Sequence, residues 1–161
     1  MKASAWRLVP EARGGSSEEA FSGMGSYLYG QRWNRPGSRI VYLSEHLSLA
    51  ALEVIVHAAA YRDLGRYLAY RVEFEPAQAE DLAAELPADW SDVEPAVAAQ
   101  RLGTDWAAGG SSLLLRVPSA VIPHEHNLLL NPEHPAYADM LLEGPLPFRF
   151  DPRLAAFNRP S

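Results

Sequence analysis

Three short stretches of the chain carry side chains able to do chemistry. The first is a helical pattern from Leu47 to Ala60. At 100° per residue, Leu52, Val56, Leu49, Ala60 and Glu53 fall in that angular order on one face. Glu53 therefore points into an apolar stripe, where an unpaired carboxylate is costly. His57 lies one turn on and can pair with it. Two readings stay open at this point: a structural Glu53–His57 pair, or an active-site carboxylate facing a cleft.

The second stretch is Gly30-Gln31-Arg32-Trp33-Asn34. An arginine beside an indole and flanked by glycine offers a charged fork to a phosphate or a carboxylate. The plainer reading is a surface loop that Trp33 anchors to the core. Tyr42 follows shortly after, as a core ring whose hydroxyl needs a partner. The third stretch is Gly110-Ser111-Ser112. Serines at a strand entrance are ordinary turn formers, and no Gly-x-Ser-x-Gly elbow marks a hydrolase serine. His124-Glu125-His126 sets two imidazoles at strand spacing, but Pro123 makes it a solvated turn rather than a metal site. The chain has no His-Glu-x-x-His helix, no phosphate-cradling Gly-Lys-Ser loop and no Gly-x-Gly-x-x-Gly.

The elements that must position these residues follow from pattern. Trp6 to Val9 reads as a strand stopped by Pro10, and Glu11 to Gly37 as a long loop with one helical turn near Glu18 to Phe21. Long loops in small domains are commonly functional. Arg39 to Leu43 is β-branched and aromatic, hence a strand, and Ser44 caps a helix running from about His46 to Ala60. Tyr67 to Glu75 alternates, with Leu68, Tyr70, Val72 and Phe74 on one side, and Pro76 ends it. Two helices are expected near Ala79 to Leu86 and Val93 to Ala107. Strands are expected at Leu113 to Val117, Val121-Ile122, Leu128 to Leu130 and Phe148 to Phe150. Strands and helices do not alternate strictly, so the fold class is α+β.

Composition narrows the chemistry. The 161 residues suit one domain spanning 1–161 with its own core. There are no cysteines, which removes thiolate metal sites, disulfides and cysteine nucleophiles. The 14 Lys and Arg against 20 Asp and Glu leave a net charge of −6, without the basic footprint of direct nucleic-acid binding. No apolar run approaches the ~20 residues that cross a bilayer. Arg7, Glu11 and Arg13 interrupt any signal-like start, so a soluble cytoplasmic protein is expected.

Taken in order, Trp6-Arg7-Leu8, Gly30 to Asn34, Ile40 to Ser44, Leu52 to His57, Ser111 to Leu115, Val117 to Ala120 and Asn127 to Pro135 resemble the RES domain. That family is named for an arginine, a glutamate and a serine, and its members are toxins of RES–Xre toxin–antitoxin pairs. The resemblance spans roughly Ala5 to Leu154. It implies a fold of mixed or antiparallel sheets flanked by helices, similar to ADP-ribosyltransferase toxins, with a cleft between sheets that binds NAD. It makes Arg32 the family arginine, Glu53 the glutamate and Ser111 the serine, with Ser112 as its neighbour. Tyr42 matches an aromatic position beside the site, and Arg7 a second arginine. The implied catalytic residues are thus Glu53, Arg32 and Ser111, and the implied NAD contacts Arg7, Arg32, Tyr42 and Ser111. The implied activity is cleavage of the nicotinamide–ribose bond of NAD by hydrolysis or phosphorolysis. It needs no metal, and an Xre-family helix-turn-helix antitoxin is the partner. A protein ADP-ribosyltransferase using the same site, and an inactive partner-binding module, are the competing readings.

Overall fold

The computed structural model describes residues 1–58 and 64–157. Seven strands form one mixed sheet in the order β4-β5-β6-β2-β1-β3-β7. They are β1 (Ala3–Pro10), β2 (Val41–Ser44), β3 (Tyr67–Phe74), β4 (Ala79–Asp81), β5 (Leu114–Pro118), β6 (His126–Leu130) and β7 (Leu141–Phe148). All neighbours run antiparallel except β4 and β5. The α+β expectation stands, and the expected sheets are joined as two halves of a single one.

The join is narrow. β1 pairs with β3 along its whole length, from Ala3↔Phe74 to Pro10↔Tyr67. β2 pairs with β6 along its whole length, from Val41↔Leu130 to Ser44↔Asn127. Between β1 and β2 the ladder consists of Trp6↔Ser44 alone. The three-stranded half and the four-stranded half therefore meet at a seam one register pair long.

Three apolar clusters follow from this division. Alternation places Ala5, Val9, Val41, Leu43, Leu68, Tyr70, Val72, Leu114, Leu128 and Leu130 on one face, where Phe21 closes over them. On the other face the four-stranded half carries Leu115, Val117 and Leu129 under helix α5 (Val97–Gly109). On that same face the three-stranded half carries Leu8, Tyr67 and Ala69 under helix α4 (Leu47–His57). The two helices thus stand on either side of the seam.

Several expectations are corrected. The loop after β1 holds three short helices, α1 (Glu11–Gly14), α2 (Ser17–Ala20) and α3 (Met24–Tyr29), rather than one turn. The residues from Ala79 are strand β4 and irregular chain, not a helix, because their backbone pairs with β5. Val121-Ile122 is a turn, and the last strand begins earlier, at Leu141. Ser44 belongs to β2 and does not cap α4, whose N-cap is His46. Ala60, expected on the α4 stripe, lies outside the described residues. The buried positions of α4 are Leu49 and Ala50, while Leu52 and Val56 are 37% and 55% exposed.

Helix α5 reaches the sheet through small residues. Ala99 and Gly103 lie one turn apart on its buried face, and a Cβ on Gly103 would stand 2.0 Å from the Trp33 carbonyl oxygen. Ala is the better helix former by about 1 kcal/mol, yet backbone cannot yield to that overlap as a flexible side chain would. Gly103→Ala should therefore destabilise the protein by about 1–3 kcal/mol, read as a lowered urea midpoint at unchanged m-value.

Candidate active site

The loop before β2 is built to hold one arginine. Gly30 turns the chain at φ 67°, where a Cβ would meet the Asn34 carbonyl at 2.9 Å. Gln31 and Asn34 then close a tight turn, with Gln31 N–H donating to the Asn34 carbonyl at 3.0 Å. Arg32 sits within this turn. Trp33 is buried and stacks on Trp90 at 5.9 Å between centroids, so its anchoring role is as expected. Helix α5 clasps the loop: Gln100 Nε2 donates to the Gln31 carbonyl at 3.0 Å, and Thr104 Oγ1 accepts from Arg35 N–H at 3.0 Å.

Tyr42 locks the same loop from beneath. Its hydroxyl donates to Asn34 Oδ1 at 2.7 Å and accepts from the Trp33 N–H at 3.1 Å. Asn34 is fully buried and donates Nδ2 to the Ser26 and Arg35 carbonyls. Burial pushes the Tyr42 hydroxyl well above the ordinary phenol range, against the opposing pull of the Trp33 amide and the Arg32 guanidinium. The hydroxyl is thus committed to the loop, and the half-buried ring is what Tyr42 can offer a ligand. Arg32 Nη1 donates to the Trp90 and Asp92 carbonyls, each at 2.8 Å. Among the described residues its Nε and Nη2 make no hydrogen bond.

Glu53 stands on the opposite side of the seam, on α4. Its partners come from strand ends rather than from its own helix. Ser119, just past β5, donates its hydroxyl to Oε1 at 2.8 Å. Asn127 on β6 donates Nδ2 to the same oxygen at 2.7 Å. Ser119 is fully buried and its Oγ also accepts from the Val121 and Ile122 N–H groups, both at 3.1 Å. Asn127 Oδ1 accepts from Ser44 Oγ at 2.8 Å, which returns the network to the seam pair. Glu53 Oε2 accepts no hydrogen bond from any described residue.

The other anticipated residues go elsewhere. His57 is exposed near the end of α4 and does not pair with Glu53. Ser111 is exposed and donates to Glu80 at 2.9 Å. It precedes β5 while Ser119 follows it, so the strand's five residues hold them about 16 Å apart or more. Ser112 accepts from Trp106 Nε1 at 2.9 Å and donates to the Leu114 carbonyl. Neither serine reaches Glu53; Ser119 does. Arg7 bridges the seam, donating Nε to the Ala20 carbonyl at 2.7 Å and Nη1 to the Tyr42 carbonyl at 3.0 Å. Desolvation lowers its guanidinium to about 10. It braces the fold behind Tyr42 and has no contact with Glu53. His126 Nδ1 lies 3.4 Å from Glu45 Oε2 at the start of β6. No group of three metal-ligating side chains occurs among the described residues.

Sequence reasoning passed over Ser119, Asn127 and Ser44. Asn127 carried a usable signal, because asparagine is disfavoured within a strand and here it precedes three leucines. Glu53, on one side of the seam, thus offers an oxygen that no described donor uses, and Arg32, on the other side, offers two nitrogens that no described acceptor uses. The set suits a ligand that develops positive charge at one end and carries anionic groups at the other.

Comparison with known proteins identifies the family. Residues 4–151 match the RES domain family. A protein named Toxin Res from Yersinia enterocolitica is 40% identical over 140 residues, covering 83% of this chain and 90% of that protein. A Prs ADP-ribosylating toxin from Sphingobium sp. is 36% identical over 162 residues, covering 96% of this chain and 98% of that protein. A chain of the M. tuberculosis MbcT–MbcA toxin–antitoxin complex superposes with a TM-score of 0.72 at 18% identity, covering 99% of this chain and 90% of that one.

Replacing Tyr42 by Phe should strand a buried Asn34 oxygen and the Trp33 N–H, at a cost of about 1–3 kcal/mol at neutral pH. The phenol stays neutral in the folded state while the unfolded one ionises near its ordinary value of 10.0. The part of the stability that Tyr42 contributes is therefore lost, from wild type only, as pH rises through that value, and the gap to Tyr42→Phe should narrow. Denaturant titrations at neutral pH and above pH ~10 check both statements.

Proposed function

The chain belongs to the RES domain family, and from that premise we propose that it is a toxin that destroys NAD by cleaving the nicotinamide–ribose bond. The observation that carries this reading is Glu53, held at Oε1 by Ser119 and Asn127 with Oε2 left open. Nicotinamide departs neutral with the electron pair of the glycosidic bond, so no strong general acid is required. Positive charge builds on the ribose, as in other glycoside cleavages. A fixed carboxylate stabilises that charge or holds a ribose hydroxyl. Water or phosphate then bonds to the anomeric carbon, and the proton released on attack passes to solvent.

The remaining residues divide between binding and support. Arg32 keeps two nitrogens for the pyrophosphate. The Tyr42 ring lies beneath the Arg32 loop and offers a stacking face to nicotinamide or adenine. Ser119 takes the part of the family serine, supported by its contact with Glu53 and by the distance of Ser111. Arg7 is a strut. No step requires a metal.

A second reading has its own support. The relative named as a Prs ADP-ribosylating toxin covers nearly the whole chain, so the acceptor can be a protein side chain instead of water or phosphate. The bond broken is the same. In either case the toxin is held by an antitoxin. The family resemblance makes it an Xre-type protein, and the structural neighbour was solved as a toxin–antitoxin complex.

Induction of the wild-type chain should collapse cellular NAD, while Glu53→Gln, which keeps the shape and removes the charge, should slow loss by roughly 100-fold or more. NAD measured after induction tests this directly. Stable NAD with growth arrest, together with label from radioactive NAD on a protein band, would select the protein-modifying reading instead.

A further inference from the structure

We propose that Asn127 and Ser44 are positioning residues that fix the Glu53 carboxylate so that Oε2, and not Oε1, meets the substrate. The inference rests on the reading of Glu53 as the carboxylate that acts on NAD.

Hydrogens and lone pairs fix the orientation of the network. Ser119 Oγ accepts from two backbone N–H groups, so its single hydrogen is aimed at Glu53 Oε1. Asn127 brings a second donor to that oxygen. A flipped amide would turn its own oxygen toward the carboxylate, so the Asn127 side chain has one stable orientation. Ser44 completes that orientation by donating to Oδ1. Ser44 is buried at the register pair joining the half-sheets, so the direction of the carboxylate is set from the point where the two halves meet. Oε1 is saturated with neutral donors, and Oε2 keeps its lone pairs for a ligand.

The composition of the strand supports a functional origin. β6 is otherwise apolar after its first residue, and an asparagine there gives up strand propensity and packing. Every polar atom of its side chain that is engaged serves this network, and none caps a turn or satisfies its own backbone. A residue serving only the fold would be met by a valine or threonine at that register.

The test is a double-mutant cycle on the purified full chain, read as steady-state NAD cleavage. Asn127→Ala should lower kcat by roughly 10- to 100-fold, as loss of a hydrogen bond to a charged group does, with KM changed by less than about 3-fold. Ser44→Ala should lower kcat by roughly 3- to 10-fold, and Ser44→Thr, which keeps the hydroxyl, should restore it. In the Asn127→Ala background Ser44→Ala should add nothing, because Ser44 acts through Asn127. Additive losses, a loss carried by KM, or a loss that follows the melting temperature would overturn the assignment.

A wild-type chain that cleaves no NAD would instead refute the proposed function. The positioning role is then judged by NMR, from exchange of the Asn127 side-chain amide hydrogens with water. Exchange should speed by about 10-fold or more in Ser44→Ala and in Glu53→Ala. Unchanged exchange in both would end the proposal.

Discussion

The structure depends on how little joins its two half-sheets. Strands β1 and β2 share one register pair, Trp6↔Ser44, while every other long strand is paired along most of its length. A continuous ladder would put apolar side chains across the whole face and leave one core. The short join divides that face into two apolar clusters, one under α4 and one under α5. It also frees backbone polar groups that must find partners elsewhere. Arg7 answers part of this demand by taking the Tyr42 carbonyl. The polar residues at the seam are therefore a consequence of its geometry.

The two sides of the seam are fixed by different means. On the α5 side the chain is held by tight packing: Gly103 against the Trp33 backbone, Trp33 on Trp90, and the Tyr42 hydroxyl on Asn34. Those contacts place Arg32 without using its Nε or Nη2. On the α4 side the helix packs on β1 and β3, but its Glu53 side chain is held from the far half of the sheet, by Ser119 and Asn127. Glu53 thus ties the halves together at the level of side chains where the backbone joins them only once. Such bonds count for more in a partly desolvated place, since water competes less for the donors.

How much of this the sequence disclosed can be argued residue by residue. Strand β3 and strand β5 are legible because alternation and short apolar runs are local properties. Glu53 stands out in sequence on a stripe of which the structure buries Leu49 but exposes Leu52 and Val56. The segment Leu47 to His57 is apolar nearly all round, so its periodicity does not choose a face, and tertiary packing chose Leu49 and Ala50 over Leu52 and Val56. The family resemblance points to Ser111, with Ser112 as its neighbour, and does not single out Ser119. Which end of β5 lies near α4 depends on strand order, and a crossing of this kind leaves no mark in local sequence. The same holds for Ser44, whose place before a helix suggests a cap until the pairing with Trp6 and Asn127 claims it for the sheet.

The choice of partners for Glu53 bears on what the site can do. No described cation forms an ion pair with it; the ion pairs lie at Arg71, Arg116, His126 and Arg153. An arginine or lysine in the place of Asn127 would also hold the carboxylate, and more tightly. It would also cancel the charge, because opposite unit charges a few ångströms apart leave only a weak dipolar field at a third point. Ser119 and Asn127 supply direction without net charge. The carboxylate keeps its full negative potential for a positive centre forming nearby, and the free guanidinium donors stay with Arg32, on the other side of the seam. In the function proposed above, the two charges on separate sides of the seam serve a cationic ribose and an anionic pyrophosphate respectively.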